Sequence, residues 1–350
     1  MYLMSKNIVV AEIDFNKLIF DIKRPDLMPF ALRGNNVSIF SVYDWLSGRV
    51  LSLSRSNAKK ILDSLNLDQT DRMKICISCK ALSLTDCYWL KGDKDSATWD
   101  KVNLYSNSLS EAVARVALIG EYVSIQGKIR TPELTNDGAY AKCWRRGKDG
   151  IYLYKAGSSN GNGKEYLVDI LCSDLLDRLD VRHVKYNKAV SNFRPVSRCK
   201  NMTDLNRSIC PMNYFEGYCN RNNINLQNYL LNCKDYLDML IVDYLIYNTD
   251  RHKENWGVYF NADTGKFECL HPLFDHNLAL DLNGDFMSKV IPNKTLEECA
   301  MFAKKRDNLD IKDYYKYLKS SSVKNRFYEI FNRLDEYSAC VDRAKKFMKW

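Results

Sequence analysis

The sequence predicts an α+β fold of two lobes, a small β-rich lobe with an N-terminal extension and a helical lobe after it. Three stretches predict it. Ala139–Arg145 and Ile151–Ala156 read as strands joined by the hairpin turn Gly147-Lys-Asp-Gly150. A helix over about Glu165–Leu179 follows, with apolar residues at 167, 168, 171, 175 and 176. Leu226–Tyr247 then carries apolar residues at 226, 230, 237, 240, 241, 244 and 245, the stripe of one long buried helix. The chain divides accordingly into an extension of no derivable function over 1–125, the β-rich lobe over 126–200 and the helical lobe over 201–350.

Composition narrows the class. With 350 residues, 46% apolar and 27% charged, the chain can build a core and is not largely disordered. No apolar run reaches the ~18–20 residues of a membrane span; Met239–Tyr247 is short and holds Asp243. Glu12 and Asp14 break the apolar patch Ile8–Ala11, so no signal peptide is expected. A soluble, cytoplasmic protein without membrane partners is the expectation. The twelve cysteines are scattered, as reduced thiols would be. Cys76 and Cys79 have CxxC spacing with Cys87 nearby, but all four histidines lie beyond residue 180, and buried small hydrophobes are expected rather than zinc ligands.

In order along the chain, Ile8–Phe15 predicts a strand, and Val42–Leu51 and Asn57–Leu65 predict helices, the second capped by Ser56. The loop Thr131–Gly138 precedes the hairpin, and Lys155 lies near the far end of its second strand. Gly157–Gly163 is a small-residue loop that would be mobile until a ligand orders it. Val184–Ala189 predicts a further strand, and Trp256–Phe260 with Phe267–Leu270 a small hairpin around Asp263-Thr-Gly265. The net charge is +9, and residues 301–350 hold thirteen Lys/Arg against seven Asp/Glu. There Tyr314, Leu318, Phe327, Ile330, Phe331 and Leu334 recur at helical spacing, as in basic amphipathic surface helices. A solvated basic face explains them, and a surface for an acidic partner or nucleic acid is the alternative.

One constellation carries chemistry. Phosphoryl transfer from ATP needs a cation on the phosphates, oxygen ligands for Mg²⁺ and a carboxylate to orient the attacking hydroxyl. Asp250 and Asn255 have the five-residue spacing of a kinase catalytic loop just after the apolar helix, and Asp275 follows past the hairpin. With Lys155 on a strand and acidic residues on the next helix, the order is that of a protein-kinase-like fold. Singly, each part has an ordinary structural explanation: a capping Asp, an Asx turn, a solvated strand-end lysine.

The sequence Asn248-Thr-Asp-Arg-His-Lys-Glu-Asn255 resembles the NTDRHxxN signature of HipA-like serine/threonine kinases, the kinases of bacterial toxin–antitoxin modules. Phe274-Asp275 resembles that family's metal-binding segment; Glu133-Leu-Thr-Asn-Asp-Gly138 with Lys142-Cys-Trp144, and Leu82-Ser-Leu-Thr-Asp-Cys-Tyr-Trp89, resemble regions of a subgroup. The match spans roughly residues 80–290. The resemblance implies Asp250 as catalytic base, Asn255 and Asp275 as Mg²⁺ ligands, and Lys155 on the phosphates of ATP. It places Thr131–Gly138, with Thr135 and Gly138, over the nucleotide through backbone N–H groups. His252 would brace the catalytic loop, and Arg251 would orient Asp250 or the fold around it. Thr131 or Thr135 would be autophosphorylation acceptors.

In the family the lysine's partner is usually Glu; here the matching residue is Asp169, one methylene shorter, with Glu165 one turn earlier as a substitute. The implied function is an ATP- and Mg²⁺-dependent Ser/Thr protein kinase. Its substrate would be a protein, in the translation machinery as the family suggests, with an antitoxin-like partner and only weak or indirect DNA contact. DRHxxN also occurs in phosphatidylinositol kinases, so a lipid or small-molecule kinase is an alternative, as is a non-catalytic module that binds nucleotide or a partner.

Overall fold

A computed structural model describes residues 1–125, 130–158, 163–178, 180–246, 248 and 250–279. The basic stretch 301–350 and the centre of the Gly157–Gly163 loop lie outside these residues.

The first sheet is antiparallel, in the order β3-β2-β1-β4, from β1 (Tyr2–Ser5), β2 (Ile8–Asp14), β3 (Ile19–Ile22) and β4 (Tyr88–Lys91). Its first hairpin turns at Lys6 in the left-handed region, and the second turn is held by Asp14 Oδ1, which accepts the N–H groups of Asn16 and Lys17. The short helices α1 (Ile39–Gly48), α2 (Ala58–Ser64), α3 (Arg72–Ser78), α4 (Trp99–Val102) and α5 (Glu111–Ile119) complete the first 125 residues. α1 starts three residues before its expected beginning because Ser38 and Ser41 form a reciprocal capping box. The expected cap Ser56 does not cap α2. Asn57 precedes the helix in the left-handed region and donates its side-chain N–H to the Ala117 carbonyl at 3.1 Å, which ties α2 to α5.

The second sheet, β5-β6-β8-β7, contains the predicted hairpin β5 (Lys142–Gly147) and β6 (Gly150–Lys155), followed by α6 (Glu165–Arg178), β7 (Tyr186–Ser191) and β8 (Arg194–Lys200). β7 and β8 turn at Asn192-Phe193, both left-handed, which matches the strand twist. α5 packs on β5, and α6 packs on β7 and β8.

The third sheet, β11-β10-β9, is formed by β9 (Arg207–Pro211), β10 (Gly257–Asn261) and β11 (Phe267–Leu270), with α7 (Met212–Arg221), α8 (Leu226–Leu231) and α9 (Lys234–Leu245) between β9 and β10. β9 stands where only helix is expected, because it pairs along the whole of β10. The apolar stripe 226–247 is not one helix. It breaks at Asn232-Cys233, where Asn232 donates its side-chain N–H to the Asn228 carbonyl and the backbone tightens to bonds onto Tyr229 and Leu230. The stripe survives the break because both helices face the same core.

One hydrophobic cluster runs from Leu3 to Ala279 through all three sheets, and it includes Cys76 and Cys79. Burial pushes these thiols up, to about 12 and about 11, as expected of inert core cysteines. The first 125 residues dock on the third sheet as well as the second. Phe30 meets Phe215 and Phe260 edge-on at 5.1 and 5.5 Å, and Arg221 bonds the carbonyls of Phe30, Ala31 and Arg33. Among the described residues no helix is long and apolar enough to cross a membrane.

Candidate active site

Lys155 ends β6 opposite Lys142 of β5 and Ser197 of β8, in the middle strands of the second sheet. Its ammonium is buried and meets two carboxylates, Asp169 Oδ2 of α6 and Asp275 Oδ1, each at 2.6 Å. It also lies 5.4 Å from the centroid of the Tyr186 ring. The shorter Asp169 therefore reaches Lys155 without a lengthened ion pair, because α6 buries Val168, Cys172 and Leu176 and sits close to the sheet. Glu165 is engaged elsewhere: it accepts the Ser158 N–H at 2.9 Å and holds the entry of the small-residue loop.

Burial alone would strip the charge from Lys155, yet the two carboxylates outweigh it and hold its pKa above the ordinary value. Asp275 shows the mirror image: burial opposes its charge, and Lys155 and Lys142 hold its pKa well below the usual range. Fully buried Asp169 is pushed up to about 6, by burial first and by the Asp275 charge, against the pull of Lys155. The single Lys155 ammonium thus contacts two carboxylates, and Lys142 stands by as a second cation whose charge burial weakens.

The loop after α9 is built around Arg251, which is 1% exposed. Its Nε donates to Asp243 Oδ2 at 2.9 Å, and one terminal nitrogen donates to the carbonyls of Asn255 and Phe274, both at 2.7 Å. Asp243 also accepts from Asn248 Nδ2 at 2.8 Å. One guanidinium therefore fixes the end of α9, the loop and the residue before Asp275. The Asp250 N–H donates to Asn248 Oδ1 at 3.2 Å, and its carbonyl receives Asn255 Nδ2 at 2.9 Å. His252 is not the expected brace: its side chain is 49% exposed and its ring accepts the nearby Glu254 N–H, while Asp243, Asn248 and Arg251 do the bracing. Asp275 adopts φ +57°, a conformation Asp tolerates, and its N–H points to the Tyr186 hydroxyl at 3.4 Å.

The loop over 131–138 is clamped from the extension. Arg55, 2% exposed, pairs with Glu133 Oε2 at 2.7 Å and donates to the carbonyls of Glu133, Asn136 and Lys142. Thr135 donates its hydroxyl to the Leu82 carbonyl at 2.6 Å, and Thr131, 3% exposed, accepts the Glu133 N–H. Both hydroxyls are thus engaged within the loop and its support. Gly138 has φ +104°, and a Cβ there would collide with Lys142 Nζ, so the glycine serves both the turn and the lysine. Lys142 is buried beside Asp275; burial lowers its pKa to about 8. Tyr140 is pushed up to about 12 by burial and by the carboxylates of Glu165, Asp250 and Asp275.

The fold thus gathers Lys155, Asp169, Asp250, Asn255 and Asp275, leaves His252 at the rim and puts Arg251 beneath them. Sequence reasoning missed Arg55 and Asp243 as parts of the site. A carboxylate inside the apolar run Met239–Tyr247 was a signal, since a buried Asp needs a partner. Arg55 had none, because its contacts lie 78 or more residues away in the chain. The donor set suits a hard cation. Asn255 spends its side-chain N–H on the Asp250 carbonyl and keeps Oδ1 as an oxygen donor, and Asp275 adds a carboxylate, the sparse oxygen set Mg²⁺ accepts when phosphates and water complete its shell. No cluster of three or more His, Cys, Asp or Glu able to hold a metal occurs among the described residues.

No family model matches the chain, and no curated protein matches it by sequence. Solved structures do. The proinflammatory kinase CtkA of Helicobacter pylori aligns at 15% identity over 59% of this chain and 86% of its own, with a TM-score of 0.34. HipA of Shewanella oneidensis MR-1, solved as a toxin–antitoxin complex with HipB and operator DNA, aligns at 13% identity over 99% of this chain and 96% of its own, with a TM-score of 0.63. This chain has a fold like that of HipA.

Proposed function

We propose that this protein is an ATP- and Mg²⁺-dependent kinase that phosphorylates Ser or Thr hydroxyls of a protein. The observation that carries the reading is the buried Lys155 paired with both Asp169 and Asp275, beside a loop that offers Asp250 and Asn255. Lys155 would hold nucleotide phosphates, oriented by Asp169. Asn255 and Asp275 would hold Mg²⁺, which when bound offsets charge on the transferring phosphate. Asp250 would accept the hydroxyl proton, and Arg251 would keep Asp250, Asn255 and Asp275 in register through Asp243 and the carbonyls of Asn255 and Phe274. Loop 131–138 would cover the phosphates.

The HipA-like fold supports this reading and suggests an antitoxin-like partner and a cytoplasmic setting, with the translation machinery as a source of substrates. Autophosphorylation at Thr131 or Thr135 would require the loop to release the bonds that now hold both hydroxyls.

The test is incubation with Mg-ATP followed by intact-mass analysis, beside Asp250→Ala. A phosphate gained by the native protein and not by the variant is the expected result for autophosphorylation; peptide mapping then locates it. If neither form gains phosphate, transfer to added protein must be seen in the native form alone. Mg-ATP binding with transfer to no protein would favour the non-catalytic or small-molecule alternatives.

A further inference from the structure

A cavity of about 210 Å³ opens where the first 125 residues, the loop over 131–138 and the third sheet meet. Trp45, Tyr88 and Phe260 form buried aromatic walls. Arg49 lies against them, bound to Asp86 through two contacts of 2.7 and 3.0 Å and 4.7 Å from the Trp45 ring centroid. That pair cancels its own charge. Two further carboxylates line the cavity, Asp137 of the candidate nucleotide loop and Glu254 of the candidate catalytic loop. Asp137 accepts the Ser52 N–H at 3.2 Å, and Glu254 accepts the Asn213 side-chain N–H at 3.3 Å with the half-exposed His252 ring 4.0 Å away. The lining therefore sets one guanidinium against three carboxylates.

Aromatic walls with an excess of negative charge favour an organic cation: the carboxylates attract it and offset the water it gives up, while the walls pack its apolar stem, the Trp45 face being already taken by Arg49. A neutral apolar group would desolvate the carboxylates without compensation, and an anion would be repelled. Glu254 follows Asp250 on the same short loop and directly precedes Asn255, so that loop joins the cavity to the proposed acceptor position. We propose that this cavity takes a lysine or arginine side chain of the protein substrate, a few residues from the phosphorylated hydroxyl. The carrier of the cation rests on the kinase reading; the cation site itself does not.

Two measurements separate these. Ligand-observed NMR titration of the whole protein with butylguanidinium and with its neutral counterpart butylurea needs no ATP. The cation should bind saturably and about tenfold more tightly than the urea, and the Asp137→Asn/Glu254→Gln double variant should bring the two within about twofold. Equal affinities in the native protein, or an unchanged ratio in the variant, would overturn the cation site. Next, Ser/Thr peptides with Lys or Arg at successive positions around the hydroxyl are compared with norleucine counterparts under Mg-ATP. A basic residue at one position should raise kcat/KM about tenfold, and the double variant should collapse that ratio, which a general loss of activity does not move. Phosphorylation without basic preference would overturn the substrate assignment. If no peptide or protein is phosphorylated while butylguanidinium still binds selectively, the kinase reading fails and the cation site stands.

Discussion

Of the buried cations at the candidate site, Arg251 and Lys155 are held in opposite ways. Arg251 is saturated: the Asp243 carboxylate and two carbonyls take up its guanidinium, and it joins three chain segments that must stay fixed. At Lys155 two carboxylates, Asp169 and Asp275, contact one ammonium, and the nearby Lys142 adds only a charge that burial weakens. A matched buried charge is scaffolding; an anionic excess is a place where further positive charge is welcome. The difference teaches where to look for chemistry: at the unbalanced centre, with the balanced one holding it still.

Removing Arg251 should therefore cost most. Arg251→Met leaves Asp243 buried without its cation, and denaturant unfolding should show a loss of about 3–5 kcal/mol. A loss below about 1 kcal/mol would break the comparison, since the hub would then not be structural. Arg55 is the same kind of device for the loop over 131–138. Arg55→Met should lose about 2–4 kcal/mol and, in an active kinase, raise the KM for ATP more than it lowers kcat.

His271 sharpens the picture from below. It is buried, its ring lies 5.2 Å from that of Phe274, and its pKa is lowered to about 4 from 6.5, by burial first and then by charges including Arg251. The folded state thus refuses a proton that the unfolded chain accepts below pH 6.5. The contribution is complete above that pH and is lost as pH falls toward about 4, to a total of up to about 3 kcal/mol. Unfolding across pH 7 to 4 should show this slope, to which buried His276 adds in the same sense, and His271→Phe should reduce it.

Lys155→Met should give the smallest change in stability, on the order of 1–2 kcal/mol at pH 7, because Asp169, already near 6, can take up a proton and relieve the unpaired charge. A loss equal to that of Arg251→Met would show that both cations are scaffolding and that the distinction is wrong.

Much of this centre is legible in the sequence because its parts lie in short, regular contexts: Lys155 at the end of a strand, Asp169 on the next helix, Asp250 and Asn255 within one loop. What is not legible depends on distant chain. Arg55 meets Glu133 only after folding, and β9 becomes a strand by pairing with β10 across an intervening run of helices. The break at Asn232 is hidden because apolar periodicity records which face is buried, not whether the backbone is continuous. The place of His252 in a motif says nothing of whether its side chain turns inward, and here it is half-exposed.

The most direct test is nucleotide binding at the unbalanced centre, measured as the thermal shift of the full chain with ATP, with and without Mg²⁺, beside Asp275→Asn. Binding to the folded state alone raises Tm by mass action. The account predicts a saturable rise with Mg-ATP that is greatly reduced when EDTA removes the metal, and absent or greatly reduced in Asp275→Asn. An equal rise without Mg²⁺, or one unchanged in the variant, would contradict it.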